Sequence, residues 1–332
     1  MSVSFAGAAA GDFAMALTKR KLPETSYTPS FGLVTSHQIV LAIEEFNRLE
    51  FEEKDHGRVL VARKVPLAKW RRSKIPESFG RVVIEADYEG VEVTKKTKAD
   101  LYISKLPGVA HECGLEELLG QLRNYRLANG NLLQGGGGDI HFPGSDRCPD
   151  SGLRPLVLPG ENPRVPRLIS EIEITHRSVP EILSYNAQLY AGIPQLRATF
   201  FLKVYPRHAA SRRFGALALL FRRLPAGVDC VDAVSCGTAP LNGSVLSNLP
   251  PAIGGILRVL VVPAAASLLP ANPWPAALNP TINVPAEDVF YWRDDPVTGA
   301  PVLIPGAPAG APDLQICLWS ILRMVDSHDP FS

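Results

Sequence analysis

Two glutamates placed two residues apart are the side chains in this sequence best suited to carry out chemistry. Glu171 and Glu173 lie in the segment Ser-Glu-Ile-Glu-Ile, whose alternating pattern predicts a β-strand over 167–175. Alternate residues of a strand point to the same face, so the two carboxylates project together, with Cα atoms about 6.6 Å apart. Such a pair is typical of a solvated face, but the apolar neighbours here predict a mostly buried strand. Buried carboxylates at this spacing repel each other unless a cation or a proton lies between them.

A third carboxylate precedes the adjoining segment. Asp150 comes shortly before the apolar run 154–159, which predicts a short strand beside the first one. Three carboxylates that converge form an all-oxygen site suited to Mg²⁺ or Mn²⁺. Such an ion would lower the pKa of a bound water and stabilise charge on a phosphate oxygen, while Glu173 or Lys203 would orient the water or the phosphate. Asp139, which follows four consecutive glycines, is an alternative to Asp150.

The elements around these residues predict a layered α/β unit. An amphipathic helix over 115–127 has leucines at helical spacing, and Ala-Asn-Gly ends it. A second helix over 179–192 has proline in its first turn and glycine at its end. Extended segments are expected at 131–142, 154–159, 167–175 and 197–205. Helix, three strands, helix and strand in this order predict one sheet with helices packed against it.

Residues 112–206 resemble the PD-(D/E)XK nuclease superfamily and, within it, the restriction-endonuclease branch. The resemblance is carried by Pro149-Asp150, by Glu171 on an apolar strand 21 residues later, and by the following helix with its tyrosine and terminal glycine. It implies a restriction-endonuclease-like core, with a mixed sheet flanked by helices and with N- and C-terminal additions. It also implies that Asp150 and Glu171 bind Mg²⁺ (or Mn²⁺), that the carbonyl oxygen of Ile172 completes the set, and that the protein hydrolyses phosphodiester bonds in DNA.

The sequence departs from the superfamily at the position of its lysine. Glu173 stands at that position, and the second helix has Asn186 where related proteins can supply a lysine instead. Lys203 is the nearest remaining candidate for the role. Two functions therefore stay open. One is a metal-dependent endonuclease in which Asp150, Glu171, Glu173 and Lys203 are catalytic, and the other is a catalytically degenerate nuclease fold that binds nucleic acid or protein.

The remainder of the chain is expected to add to this core. Residues 1–30 predict a disordered lead-in, and 31–111 predict an α+β extension. Residues 207–332 are rich in Pro, Ala and Gly and are expected to pack on the core with many loops. A basic segment directly after the core contains arginines at positions 207, 212, 213, 222 and 223. These arginines, together with Lys203, are expected to contact DNA.

The balance of charged residues, the cysteines and the longest apolar segment limit which partners and which cellular location the sequence predicts. The 34 Lys and Arg residues nearly balance the 33 Asp and Glu residues, so a basic face for DNA has to be local. Five widely spaced cysteines without a CxxC pair favour an intracellular protein, cytoplasmic or nuclear, over a disulfide framework or a zinc site. The longest apolar segment, 249–270, contains four prolines and Arg258, which favours a buried strand at 256–262 over a membrane span. No small-molecule cofactor is expected.

Overall fold

The computed structural model describes eleven stretches of the chain. They are residues 28–51, 59–70, 78–79, 82–88, 96–105, 109–136, 149–156, 165–174, 177–205, 213–261 and 280–327. Residues 1–27 of the expected lead-in lie outside them.

The N-terminal residues form a five-stranded sheet with a helix packed on it. The elements are β1 (Ser30–Phe31), α1 (Ser36–Phe51), β2 (Val59–Pro66), α2 (Leu67–Trp70), β3 (Ser78–Phe79), β4 (Val82–Tyr88) and β5 (Lys98–Lys105). The strand order is β1-β2-β5-β4-β3. Alternate residues of β5, such as Leu101 and Ile103, are buried in one core with Ile39 and Phe46 of α1. This period of two places one face of the sheet against the helix.

A seven-stranded mixed sheet follows. Its strands and helices are α3 (Val109–Asn129), β6 (Leu132–Gly136), β7 (Ser151–Pro155), β8 (Leu168–Ile174), α4 (Val179–Gly192), β9 (Ala198–Val204), β10 (Gly215–Leu224), β11 (Gly227–Gly237), α5 (Gly243–Ser247), α6 (Pro251–Ile256) and β12 (Leu257–Val261). The strand order is β12-β11-β10-β9-β8-β7-β6. β8 runs antiparallel to β7 and parallel to β9, and α4 makes the crossover between the two parallel strands. The fold is therefore mixed α/β, as the sequence predicts.

Both faces of this sheet are buried. On one face Leu168 and Ile172 of β8 lie in a core with Leu118 and Leu122 of α3. On the other face Ile169 of β8 lies in a second core that includes α4. The alternation along β8 thus separates two cores, and it decides which helix each side chain of the site can meet.

Helix α3 begins six residues before the predicted start at 115. The earlier residues include Gly114, which lowers intrinsic helix propensity. A Cβ atom at Gly114 would lie 2.7 Å from the side chain of Val325 and 3.5 Å from that of Ile172. The glycine therefore permits close packing of the helix, and this tertiary requirement outweighs its poor propensity.

The sheet also continues beyond the predicted end of the core at 206. β10 and β11 form a long antiparallel hairpin, and β12 pairs in parallel with β11. Residues 215–221 of β10 are buried on both faces. The arginines at the end of this strand predict a basic connection. The apolar residues before them, at 215–221, are instead typical of a central strand.

The C-terminal residues pack against α3. Their elements are β13 (Thr281–Val284), α7 (Ala286–Val289), β14 (Tyr291–Asp294), β15 (Pro301–Leu303), β16 (Leu314–Cys317) and α8 (Leu318–Ser327). β13 pairs with β16 and β14 with β15, both antiparallel. Gln121 of α3 accepts a hydrogen bond from the backbone N–H of Cys317 at 2.8 Å, and Tyr125 donates one to the carbonyl of Pro312 at 2.8 Å. Within the described stretches, no helix has the length and apolar character needed to cross a membrane.

Candidate functional site

The two glutamates of β8 lie deep in the central sheet. Glu171 is 4% exposed and Glu173 is 1% exposed. Both point to the face covered by α4, because Ile169, two residues before Glu171, packs in the core that contains Ile182 and Leu189 of that helix. A carboxylate at this depth requires a partner of opposite charge or several hydrogen bonds.

Arg177 is the cationic partner of the pair. It lies between the end of β8 and the start of α4 and is 5% exposed. Its Nη1 contacts Glu173 Oε1 and lies 3.5 Å from Glu171 Oε2. Its guanidinium carbon lies 3.9 Å from the centre of the Tyr185 ring, in a cation–π contact. Arg177 thus supplies one positive charge against the two glutamates.

Tyr185 and Lys203 add further polar groups on the same face. The Tyr185 hydroxyl, from α4, donates a hydrogen bond to Glu171 Oε1 at 3.1 Å. Lys203 of β9 is in direct register with Glu173 of β8, so the two side chains point to the same face from neighbouring strands. Lys203 is 3% exposed, and its Nζ lies 5.6 Å from the centre of the Tyr205 ring. A lysine therefore lies beside Glu173 on the neighbouring strand.

Asp150 approaches β8 from the opposite edge. Ser151, the first residue of β7, pairs with Ser170, so Asp150 lies just past the paired residues and next to Glu171 in register. Its Oδ2 accepts a hydrogen bond from the backbone N–H of Ile172 at 2.8 Å. The N–H and C=O of one strand residue point to the same edge, so the Ile172 carbonyl also faces Asp150. The three expected metal ligands thus lie at one end of the β7–β8 ladder.

His111 belongs to this site and was not predicted from the sequence. Its Nε2 lies 3.2 Å from Asp150 Oδ2, and its Nδ1 lies 3.3 Å from Glu112 Oε1. Burial lowers the pKa of His111, but the hydrogen bond and charge of Asp150, helped by Glu112, raise it, and the pKa lies above its usual value. The available signal was a histidine in the first turn of a helix. The predicted helix start at 115 left this residue outside the helix.

Arg177 was also missed, and its signal was stronger. The sequence places this arginine four residues after Glu173 and directly before the Ser-Val-Pro that opens the second helix. A cation in the short connection between an acidic strand and its covering helix can fold back over the strand. Helix and strand periodicity alone do not report such a side chain, because it belongs to neither element.

The expected metal ligands are oxygens, the donor type that a divalent cation prefers, but the described residues do not hold them in a metal-binding arrangement. Among the described residues there is no group of three His, Cys, Asp or Glu side chains arranged for a metal ion. The expected set has only two such side chains, Asp150 and Glu171, with the carbonyl of Ile172 as its third donor. All three donors are oxygens, which Mg²⁺ and Mn²⁺ prefer. Glu173 Oε1 contacts Arg177, and Oε2 accepts no hydrogen bond from a described residue, so Oε2 has unused acceptor capacity.

Several of the predicted DNA-contacting residues have structural partners instead. Arg222 forms ion pairs with Asp288 and Glu287. Arg223 donates hydrogen bonds to three backbone carbonyls, those of Tyr190, Ile193 and Leu196. Arg222 and Arg223 have partners within the fold, and Lys203 is buried. These three side chains therefore do not form the exposed basic surface that was expected to contact DNA.

The other residues predicted to contact DNA or a metal either have a hydrogen-bond partner within the fold or lie outside the described residues. Arg213 donates from Nε to the carbonyl of Thr238. Asp139, Arg207 and Arg212 lie outside the described residues. The alternative of Asp139 to Asp150 therefore stays a prediction.

Comparison with known proteins finds distant structural similarity and no match to a family. No protein-family model matches the chain, and no curated protein matches it. The chain is similar to the crystal structure of a candidate nuclease belonging to DUF820 from Anabaena variabilis, with 12% sequence identity and a TM-score of 0.32. The similarity covers 58% of this chain and 97% of that one. Similarity at this level assigns neither a family nor a function to the chain.

Proposed function

We propose that the protein is a metal-dependent nuclease that hydrolyses phosphodiester bonds in DNA. Its metal ligands are Asp150, Glu171 and the carbonyl oxygen of Ile172. The observation that carries the proposal is the accumulation of three carboxylates, those of Asp150, Glu171 and Glu173, at one end of a buried strand. Carboxylates gathered in this way indicate a site that handles a cation, because a merely structural role is served more easily by apolar residues.

The orientation of Asp150 supports its role as a ligand. Its Oδ2 is fixed by the N–H of Ile172 and by His111. No described residue donates to its Oδ1, which is therefore the oxygen that can meet a cation. Fixed ligands lose less conformational entropy when they bind, and hydrogen-bonded neighbours of this kind orient the ligands in many metal sites.

The remaining groups have roles in handling water and phosphate. A divalent ion held by these oxygens would lower the pKa of a water and stabilise charge on a phosphate oxygen. Glu173 would accept a proton or orient a water through Oε2, which accepts no hydrogen bond from a described residue and lies on the same face as Glu171. Lys203, in register with Glu173, supplies the positive charge that the superfamily usually places on the same strand.

A plasmid-nicking assay with Mg²⁺ or Mn²⁺ tests this proposal. We expect the wild-type protein to nick supercoiled DNA and Glu171→Gln to reduce the rate at least about a hundredfold, because the variant loses a charged ligand. Glu116→Gln, the same substitution at an exposed position of α3, is the matched control and should nick at the wild-type rate. Nicking that persists in EDTA, or that is equal in the Glu171 variant, would contradict the proposal.

A binding measurement separates a metal site from catalysis. Mg²⁺ or Mn²⁺ should raise the melting temperature of the wild-type protein by mass action, and the Asp150→Asn/Glu171→Gln double variant should lose that response. An equal shift in the double variant would show that the ion binds elsewhere.

The second candidate function is a degenerate nuclease fold that binds nucleic acid or protein without cleaving it. The contact of Arg177 with both glutamates favours this alternative, because an internal cation already offsets part of the charge of the acidic pair. A metal-dependent melting shift without nicking would select it. Nicking that depends on Glu171 would select the enzyme.

A further inference from the structure

The N-terminal five-stranded sheet has a second face, which points away from α1. In β5, Leu101 and Ile103 are buried against α1, whereas Lys98 is exposed and Tyr102 is half-buried. Alternate residues of a strand point to opposite faces, so Lys98 and Tyr102 belong to the second face. This face therefore presents side chains to solvent, and their chemistry indicates what it can bind.

Phe31 is an exposed aromatic side chain on this face. It lies in the edge strand β1 and is 75% exposed. It is in register with Arg63 of β2, which is also exposed. The preceding pair is Ser30 with Ala62, and Ala62 is buried in the core that includes α1, so Phe31 and Arg63 point to the second face. An aromatic ring and a guanidinium thus lie on neighbouring strands at one edge of the sheet.

A bulge in β2 adds a second cation next to Arg63. The pairing of β2 with β5 shifts between Ala62 and Val65, and within this shift Arg63 and Lys64 are both exposed. Lys64 has a left-handed backbone conformation, with φ of 52°, which residues other than glycine rarely adopt. Its N–H donates to the carboxylate of Asp100 at 2.8 Å, which holds the bulge in place. Strained residues of this kind are concentrated at functional sites.

The exposed charge around this edge is positive. Within the described parts of 28–105, the exposed side chains of Lys, Arg, Asp and Glu are all basic, namely Arg63, Lys64, Lys69, Lys96 and Lys98. The carboxylates whose side chains are described in the same range are half-buried, namely Glu44, Glu45 and Asp100. The N–H of Leu67 donates to the carbonyl of Thr97, which brings α2 with Lys69 close to the start of β5 with Lys98.

Acidic positions lie toward the other edge of the sheet. β4 has Glu85 and Asp87 in register with Tyr102 and Asp100 of β5. Since β5 separates β4 from β2, the cations of β2 lie on the side away from these positions. The β1–β2 edge is therefore the basic part of this sheet, and it is also the part that carries the exposed ring.

We propose that Phe31, Arg63, Lys64 and Lys98, here called the basic edge, bind single-stranded DNA. Unpaired bases stack on an exposed aromatic ring, and the phosphates between them attract Lys and Arg. A duplex keeps its bases stacked on one another, so it can contact the cations but cannot use the ring of Phe31. The inference goes beyond the proposed cleavage reaction, because the basic edge needs no metal ion and shares no residue with the acidic site.

The ring of Phe31 gives the first test, by fluorescence anisotropy of labelled oligo(dT) of about 20 nucleotides with the full chain in EDTA. The wild type should bind, and Phe31→Ala should weaken binding at least about fivefold, because a stacked base is lost. Phe31→Trp keeps an aromatic ring and should bind within about twofold of the wild type. Val40→Ala, at an exposed apolar position of α1, is the matched control and should bind like the wild type. Because these side chains are exposed, all three variants should keep the wild-type melting temperature.

The two cations of the bulge give the second test. Arg63→Gln/Lys64→Gln should weaken binding, and the slope of log affinity against log salt should become shallower by about 1.4, at about 0.7 for each lost phosphate contact on a single strand. Arg123→Gln/Arg293→Gln removes two exposed charges from other parts of the chain and is the matched control. Its affinity and slope should equal those of the wild type.

Failure of this inference can be told apart from failure of the proposed function, because binding is measured without metal and nicking with it. If oligo(dT) does not bind in EDTA, or binds equally to the wild type, Phe31→Ala and the Arg63/Lys64 variant, the basic edge is refuted whatever the nicking assay shows. A duplex that binds as tightly, with the same loss in Phe31→Ala, would refute stacking on an unpaired base. Polyglutamate that displaces oligo(dT) at equal charge concentration would overturn DNA as the ligand in favour of an acidic protein.

Discussion

Both ends of β8 and β9 hold buried charged side chains, with arginines at the start of the strands and two glutamates at the end. Because these strands are parallel, their first residues lie at one edge of the sheet and their last residues at the other. Arg167 and Arg197 directly precede the two strands, whereas Glu171, Glu173 and Lys203 lie toward their ends. The same pair of strands thus has an arginine-rich start and an acidic end.

At the arginine-rich start, the charges are used to join parts of the chain. Arg167 is fully buried and donates to the carbonyl of Tyr291 at 2.8 Å. Arg197 stacks on the Tyr291 ring at 4.3 Å and lies 3.5 Å from Asp288 Oδ1. Arg222 contacts the other oxygen of Asp288. Each of these contacts ties the central sheet to the C-terminal residues, so this cluster acts as a structural joint.

At the acidic end the contacts of Arg177 are local, although Tyr185 of α4 and Lys203 of β9 also lie beside the two glutamates. Arg177 contacts Glu171 and Glu173, and all three residues belong to β8 or to the connection that follows it. The contacts therefore close a distance of only a few residues along the chain. The comparison teaches that buried charge alone does not identify a functional site. A cluster that links distant segments is explained by folding, whereas the local contacts of Arg177 leave Glu173 Oε2 without a hydrogen bond from a described residue, which folding alone does not explain.

The first prediction tests the structural joint and has the largest expected effect. Asp288→Asn should lower the free energy of unfolding by about 3 kcal/mol, because it leaves the buried Arg197 without its counter-charge and the half-buried Arg222 with Glu287 alone. Urea denaturation measures this change. Glu287→Gln is the control, since Glu287 is half exposed and pairs with Arg222 at the surface, and its loss should cost less than about 1 kcal/mol. Equal losses in the two variants would show that the cluster is not a joint.

The second prediction compares two tyrosines of α4, one that contacts the acidic end of the strands and one that contacts their arginine-rich start. Tyr185 donates to the carboxylate of Glu171, and Tyr190 donates to the backbone carbonyls of Arg197 and Phe221. A bond to a charged acceptor is the stronger, so Tyr185→Phe should cost about 2 kcal/mol and Tyr190→Phe about 1 kcal/mol. Saturating Mn²⁺ should recover part of the loss in Tyr185→Phe only. Recovery in both variants would place the metal response away from the acidic end.

The sequence predicted the helices and strands around the site more accurately than the contacts within it. The helix at 179–192 is present with the predicted bounds, and the predicted strands at 167–175 and 197–205 are each shorter by one residue at both ends. These elements have a clear period, which depends only on local residues and on which face is buried. The mixed α/β class follows from their order.

The partners of the charged residues could not be predicted in the same way. Arg177 lies outside the periodic elements. His111 lies in the first turn of a helix whose start was not predicted, because Gly114 lowers the helix propensity there. Asp288 contacts Arg222 across a long separation in sequence. Such contacts depend on how elements pack, and a single sequence does not report packing. The hairpin of β10 and β11 was missed for a related reason, because its terminal arginines have structural partners rather than solvent.

The last and smallest effect concerns Tyr125, which also holds the C-terminal residues. Its hydroxyl donates to the carbonyl of Pro312 at 2.8 Å, and its ring lies 6.3 Å from that of Phe290. Tyr125→Phe should cost about 1 kcal/mol near neutral pH. Burial, with the charge of Asp313, raises the pKa of Tyr125 to about 12. Because the folded pKa lies above the unfolded value near 10, the hydroxyl contributes its full stability below pH 10 and loses it as pH rises toward 12.

The difference in unfolding free energy between wild type and Tyr125→Phe measures this contribution, because other groups that titrate at high pH cancel. The difference should be constant from pH 8 to pH 9.5 and should shrink steadily between pH 10 and pH 12. Absorbance at 295 nm should show one tyrosinate fewer forming in that range in the variant. A difference that stays constant to pH 12 would mean that the Tyr125 hydroxyl is not buried against Pro312. The C-terminal residues would then depend on the arginine-rich joint for their attachment to α3 and the sheet, and the Asp288 variant should lose them first.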